Sequence, residues 1–242
     1  MIPPGIWSQA ALQALGAMLL FSTAGTAQIP RLCNTGQTAK NLAGCSGVLV
    51  PPNPTGGGAN RDGNWYVAYP YPLTLAESQN PCSLKFIRSF VDTPNAPWLP
   101  NSASTASEWT TPYDGEGGRA AGYYVYLTFL PIGDSPAPTG FTINGQLASD
   151  NSTVAIYLGT PAGADNCSLV SGQPFPVNPA GQGDGDFQQW WPFSFTNSQP
   201  LAVASPAALY FVVQNTYDGN LPNGASPTGL RVEFFPTSTF QF

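Results

Sequence analysis

The chain has 242 residues, 7 Lys and Arg against 13 Asp and Glu, a formal net charge of −6 and no histidine. With so few cations it has no concentrated basic surface for nucleic acid or an anionic membrane. Without histidine it has no Ser-His-Asp or Cys-His nucleophile arrangement and no imidazole metal ligand. At 42% hydrophobic and 12% aromatic residues it can bury enough apolar surface to offset chain entropy, which argues against disorder.

Residues 10–21 (AALQALGAMLLF) form a mostly apolar run, followed by the small residues Ser22, Thr23, Ala24, Gly25, Thr26 and Ala27. The run is too short to span a bilayer, which takes roughly 20 residues, and the pattern reads as a signal peptide over residues 1–27. The segment before it carries no Lys or Arg, unlike the usual positive start of such a signal. The alternative is an amphipathic or buried helix. Residues 28–242 then read as one domain in a secreted, extracellular protein. Their surface is built from Ser, Thr, Asn, Gln and Gly, since only 8% of residues are charged.

All four cysteines, Cys33, Cys45, Cys82 and Cys167, follow that segment, an even number suited to two disulfides in an oxidising compartment. Of three possible pairings, Cys33 with Cys45 is favoured because they flank a short polar segment, leaving Cys82 with Cys167. There is no CxxC, so the spacing offers no zinc site.

Strands are expected next over 47–50, 64–69 and 83–91. The clearest signal lies in 122–159, where Tyr123, Val125, Leu127 and Phe129 share one face and Val154, Ile156 and Leu158 repeat the pattern after a polar loop at Ser149, Asp150, Asn151 and Ser152. Further strands are expected over 187–195, 209–215 and 229–235. The 26 Gly and 26 Pro punctuate an all-β chain, and no stretch after Ala27 has helical periodicity beyond one turn. Long irregular stretches over 51–63, 93–122 and 159–185 are candidate binding loops. The expected fold is a two-sheet antiparallel β-sandwich.

Several ordered motifs carry a resemblance: Cys33-Asn34-Thr35-Gly36, Asp62-Gly63-Asn64-Trp65, Pro97-Trp98-Leu99-Pro100-Asn101-Ser102 running to Ser107-Glu108-Trp109, the segment 145–152 with Ile156-Tyr157-Leu158-Gly159, and Phe211-Val212-Val213-Gln214-Asn215 followed by 227–233. In this order they resemble a family of secreted bacterial proteins often found with PEP-CTERM sorting signals. The resemblance covers about residues 34–235 and implies a galactose-binding-like jelly roll. The chain ends at Phe242 without a Pro-Glu-Pro motif, hydrophobic tail or basic end, so by this resemblance it would be released rather than anchored.

Carboxylate chemistry is what remains for catalysis. Glycoside hydrolysis needs two acids roughly 5 to 10 Å apart, and Asp114 with Glu116, Asp184 with Asp186, and Asp150 are the loop acids to consider. Asp-Gly steps such as Asp114-Gly115 equally form turns. Structural calcium is a second use of the acids: Asp62 and Asn64, and Asp184 and Asp186, place oxygens at alternating positions around a glycine, without the twelve-residue EF-hand pattern. No other cofactor is expected.

The aromatic residues support binding. Trp190 and Trp191 are adjacent in an expected strand, so their rings point to opposite faces and one can stack on a sugar, with Gln188 and Gln189 beside it for hydroxyls. The polar pair Asp150 and Asn151 joins them as a ligand-binding loop. Trp98 and Trp109 read as pins holding a long loop to the sheet. Asn151-Ser152-Thr153 and Asn166-Cys167-Ser168 match the glycosylation sequon, a pattern frequent by chance. The reading is a non-catalytic carbohydrate-binding protein of the cell exterior. Its alternatives are a self-assembling structural or adhesive subunit of an extracellular matrix or filament and a carbohydrate-active enzyme.

Mass mapping of a non-reduced digest is expected to yield Cys33–Cys45 and Cys82–Cys167, each bridge contributing on the order of 2 to 4 kcal/mol. A Cys45–Cys82 peptide would overturn the pairing.

Overall fold

The structure is a computed structural model and describes residues 32–36, 61–92, 98–101, 107–113, 118–130, 139–160, 168–174, 187–201, 207–217 and 226–241. Its strands are β1 (Arg61–Tyr69), β2 (Lys85–Asp92), β3 (Trp109–Thr111), β4 (Gly122–Phe129), β5 (Gly140–Asp150), β6 (Ser152–Thr160), β7 (Ser168–Pro174), β8 (Trp191–Asn197), β9 (Ala208–Asn215), β10 (Gly229–Phe234) and β11 (Thr239–Gln241). One short helix, α1 (Leu75–Ser78), and a 3-10 turn (Pro81–Ser83) lie between β1 and β2. The expected strand at 47–50 lies outside the described residues.

Every named pairing is antiparallel, in the order β11-β5-β10-β3-β2-β1-β4-β9-β6-β7, with β8 on the other edge of β5. This ribbon folds on itself into two layers. One holds β2, β1, β4, β9, β6 and β7; the other holds β3, β10, β5, β8 and β11. The chain changes layer at most connections from β3 onward, which is the winding of a jelly roll.

The core between the layers comes from alternate residues of each strand. Trp65, Val67, Tyr124, Tyr126, Ile156, Leu158, Leu209, Phe211 and Val213 face it from the first layer; Phe141, Ile143, Leu147, Phe193, Phe195, Leu230 and Val232 face it from the second. Phe211 meets Phe193 edge-on with centroids 5.8 Å apart and Trp65 at 5.4 Å, and Trp65 also stacks on Phe234 at 6.2 Å. Aromatic contacts of this geometry add to the burial term and fix how the layers sit.

A short N-terminal stretch, residues 33–36, is laid across this core. Thr35 donates its N–H to the Val232 carbonyl and accepts the Val232 amide at its side-chain Oγ1, and its carbonyl accepts from the Glu108 amide. Asn34 Oδ1 accepts from the Phe234 amide at 2.8 Å, and the Cys33 carbonyl accepts from Trp65 Nε1 at 2.9 Å. Cys33 and Cys82 are both disulfide-bonded; Cys45 and Cys167 lie outside the described residues.

Three strands were not expected. β3 and β11 are three residues each, too short for a periodicity to show, and are held by ladders to β2, β10 and β5. β7 falls in a stretch read as irregular, where Gly172 and Pro174 interrupt the strand signal. Residues 187–190 were expected in a strand, but β8 begins at Trp191.

Gly145 sits where β5 carries both β10 and β8. A Cβ there would come within 2.8 Å of the Phe193 ring and press on the Glu233 carbonyl. Gly145→Ala is therefore expected to cost about 1 to 3 kcal/mol, read as a lower urea midpoint with unchanged slope.

Candidate functional site

The first layer has a second hydrophobic face, turned outward. Alternation places Tyr123, Val125, Leu127 and Phe129 of β4 on it, opposite Gln214, Val212, Tyr210 and Ala208 of β9, and next to Ala155 and Tyr157 of β6. Val125, Leu127, Ala155, Tyr210 and Val212 are buried there together with Leu73 and Cys82. What covers them is the β1–β2 connection, residues 70–84, which crosses this face as a strap.

Local chemistry shapes the strap. Leu73 and Tyr123 exchange two backbone bonds of 2.8 and 3.0 Å, so the strap enters paired to the first residues of β4. Gly122 holds φ +149°, and a Cβ there would meet Pro72. Thr74 then caps α1: its Oγ1 accepts from the Glu77 amide while the Glu77 carboxylate accepts from the Thr74 amide at 2.8 Å and from its hydroxyl at 2.7 Å. These bonds hold the fully exposed Glu77 carboxyl below its ordinary range.

Between strap and sheet lies a groove of about 380 Å³, lined by Leu75, Ser78 and Gln79 of the strap side and by Tyr123, Val154, Ala155, Tyr157 and Val212 of the sheet. Tyr123, Val154 and Tyr157 are half-buried and Leu75 is 51% exposed. None of these lining residues is charged. Two tyrosines, an aliphatic floor and an amide form a surface that can pack on the C–H face of a neutral ring and hydrogen-bond its hydroxyls. Beside it, the Tyr210 hydroxyl is buried without a hydrogen-bond partner.

The residues singled out from the sequence are placed elsewhere. Trp191 is half-buried against the core, with its Nε1 buried and unbonded. Trp190 is half-buried on the outer side of the second layer, where the Arg231 guanidinium lies 4.7 Å from its ring centre. The rings do part to opposite sides, but neither is an exposed platform. Gln188 and Gln189 are exposed.

Asp150 and Asn151 correct the sequence reading more sharply. β5 runs to Asp150 and β6 starts at Ser152, so no loop projects there, and both residues are buried. Asp150 Oδ2 accepts from Trp98 Nε1 at 2.7 Å and Asn151 Oδ1 from the Thr216 amide at 2.7 Å. Buried acceptors of this kind satisfy backbone and ring donors rather than ligands. Trp98 packs on Trp109 at 4.4 Å between centroids, pinning the segment 98–101 to the sheet.

Asp62 is likewise committed. Buried near the start of β1, its Oδ2 accepts from the Gly36 amide at 2.6 Å and its Oδ1 from the Asn64 and Trp65 amides at 2.8 and 3.2 Å. The carboxylate oriented by three amides is a structural acceptor, and among the described residues no group of three or more acidic or cysteine side chains is gathered for a metal. Asp114, Glu116, Asn166, Asp184 and Asp186 lie outside the described residues.

Neither a protein-family model nor a curated protein matches the chain. Among solved structures it is similar to one described as CBM4, at 14% identity over 55% of this chain and 70% of that one, with a TM-score of 0.32. It is similar to a carbohydrate-binding module of Cellvibrio mixtus lichenase 5A in complex with cellotriose, at 12% identity over 52% and 77%, with a TM-score of 0.26. It is also similar to the enzymatically active domain of tailspike protein 4 of bacteriophage CBA120, at 11% identity over 74% of this chain and 19% of that one, with a TM-score of 0.35. Likenesses this slight carry no conclusion about a ligand or a reaction.

Burial raises the Asp62 carboxyl to about 6 from 3.8, outweighing the three amides and Arg88, which pull it down. The unfolded chain therefore releases this proton first, so the Asp62 contribution to stability is full below about pH 4 and falls as pH rises through 6, by about 3 kcal/mol. Asp62→Ala is expected to flatten that part of the stability profile. It also leaves three buried amides without acceptors, a loss of about 3 kcal/mol or more at low pH, both read by urea unfolding across pH 3 to 8.

Proposed function

We propose that this protein is a secreted, non-catalytic carbohydrate-binding module that holds a glycan in the groove between the β1–β2 strap and the outer face of β4, β9 and β6. The observation that carries the reading is the lining: Tyr123 and Tyr157 flank a floor of Val212 and Ala155, with Gln79 and Ser78 as polar groups and no charge among them. A volume of about 380 Å³ falls within the usual range of small-molecule sites, roughly 300 to 1,000 Å³. Groups of this kind bind rings by contact and hydroxyls by hydrogen bonds, and none of them activates water or a nucleophile. The signal-like segment 1–27, the even cysteine count and the sparsely charged composition support the exterior of the cell as its place of action.

Tyr157→Ala and Tyr123→Ala are each expected to weaken retention on glycans in affinity electrophoresis by roughly 5- to 20-fold, for about 1 to 2 kcal/mol of lost contact. Both tyrosines are half-buried at the rim of the groove, so melting temperatures should change little. Trp190→Ala is expected to leave retention unchanged. Loss of retention with Trp190→Ala alone would move the site to the second layer.

A further inference from the structure

The outward face that holds the groove continues across the first layer to an end of different chemistry. Cross-strand register places Tyr157, Tyr210, Leu127, Tyr66 and Arg88 in one row over β6, β9, β4, β1 and β2. With neighbouring strands about 4.8 Å apart the row is about 19 Å long. Tyr157 stands at the groove end. At the other end Arg88 lies 5.2 Å from the Tyr66 ring centre, and Tyr66 meets Phe129 edge-on at 5.6 Å, with Phe129 40% exposed. Phe86, packed on Tyr210 at 5.8 Å, fills the space between the two ends.

Arg61 joins Arg88 at that end. Its Nη1 donates to the Arg88 carbonyl at 3.0 Å and its guanidinium lies 4.2 Å from the Phe90 ring centre. Arg88 in turn donates through Nη1 to the carbonyls of Asp62 and Gly63. Each guanidinium is thus fixed by one ring and by backbone oxygens through a single nitrogen, and both side chains are half-exposed. The carboxylate nearest in charge is that of Asp62, whose oxygens are taken by amides. Among the described residues the ion pair Arg231–Glu233 lies on the other layer, and neither Arg61 nor Arg88 has a carboxylate partner.

In a chain of net charge −6, two guanidinium groups at one end of the face that make no ion pair among the described residues and lie on aromatic rings have the character of an anion receptor, because the planar fork of Arg matches a carboxylate in two hydrogen bonds. We infer that the ligand is an acidic glycan lying across the strands, with a sugar carboxylate on Arg61 and Arg88, an adjoining ring against Phe129, and a neutral stretch in the groove at Tyr157. This rests on the glycan-binding reading above and names the class of glycan. The net negative charge repels polyanions at long range, so the short-range receptor must select the chain that fits.

The test is affinity electrophoresis of the intact protein on uronate polysaccharides (polygalacturonate, alginate and glucuronoxylan), each beside the same polymer with its carboxyls reduced to hydroxymethyl groups, and on a neutral β-glucan. The expected result is at least one uronate polymer bound roughly tenfold more tightly than its reduced form, with Arg61→Gln abolishing that difference and Tyr157→Ala weakening both forms. Arg88 also holds the first residues of β1 through the Asp62 and Gly63 carbonyls, so Arg88→Lys, which keeps the charge and loses the fork, replaces a deletion there and should reduce the preference with an unchanged melting curve. Equal binding of acid and reduced polymers, or a preference that survives Arg61→Gln, would falsify the acidic-ligand inference while leaving the groove intact. No retention on any acidic, reduced or neutral polymer sinks the glycan-binding reading itself.

Discussion

Three amide N–H groups aimed at the buried carboxylate of Asp62 decide where the chain can lie at the seam of the sandwich. Gly36 belongs to the stretch that crosses from β10, while Asn64 and Trp65 belong to β1, so one side chain ties the two layers. Neighbouring bonds follow the same geometry: Thr35 is paired with Val232, and the Cys33 carbonyl receives the Trp65 indole. A buried acceptor with all its donors in place is a strong positional constraint, because any slip leaves polar groups unpaired. Trp65, held this way, is the ring against which Phe211 and Phe234 pack.

With the core placed, the period of two in the first layer has a second outcome. Alternation that was apolar on one side and polar on the other would leave a wet outer surface, the usual state of an antiparallel sheet. Here the outer set, Val125, Leu127, Ala155, Tyr210 and Val212, is apolar too. The strap meets that need for cover over part of its width, and the groove and the Arg61–Arg88 end are what the strap leaves open. Groove and structural cover thus come from a single excess of outward hydrophobic residues.

The strand pattern of β4, β9 and β10 was legible because burial on at least one face enforces alternation, whereas in β6 an irregularity between Thr153 and Ala155 sets Val154 on the outer face, away from Ile156 and Leu158 with which it was expected to align. β3 and β11 were not, since three residues show no period and their pairing depends on partners far along the chain. The site was hardly legible. Asp, Asn and Gly in Asp62-Gly63-Asn64 and in Asp150-Asn151 look alike whether they chelate an ion, project as a loop or accept buried amides, and only the three-dimensional donors separate these cases. The adjacent Trp190 and Trp191 drew attention through rarity of type, yet the outer one is met by Arg231, a residue 41 positions away in numbering. Tyr123 and Tyr157 carried no special signal, because the opposing wall, Leu75, comes from a different segment. The sequence did hold one hint of that wall, the Thr74 to Glu77 spacing of a capping box before Ser78.

The strap is attached at its ends, through the Leu73–Tyr123 exchange and the buried Cys82, and along α1 its hydrogen bonds to described residues stay within the strap. None of the β-ladders of the sandwich passes through residues 74–84. Insertions or deletions in that connection therefore change the width and depth of the groove while every interstrand bond stays as it is. The scaffold and the groove wall can diversify at different rates in evolution, much as a fixed barrel accepts different keys when only one of its pins is recut.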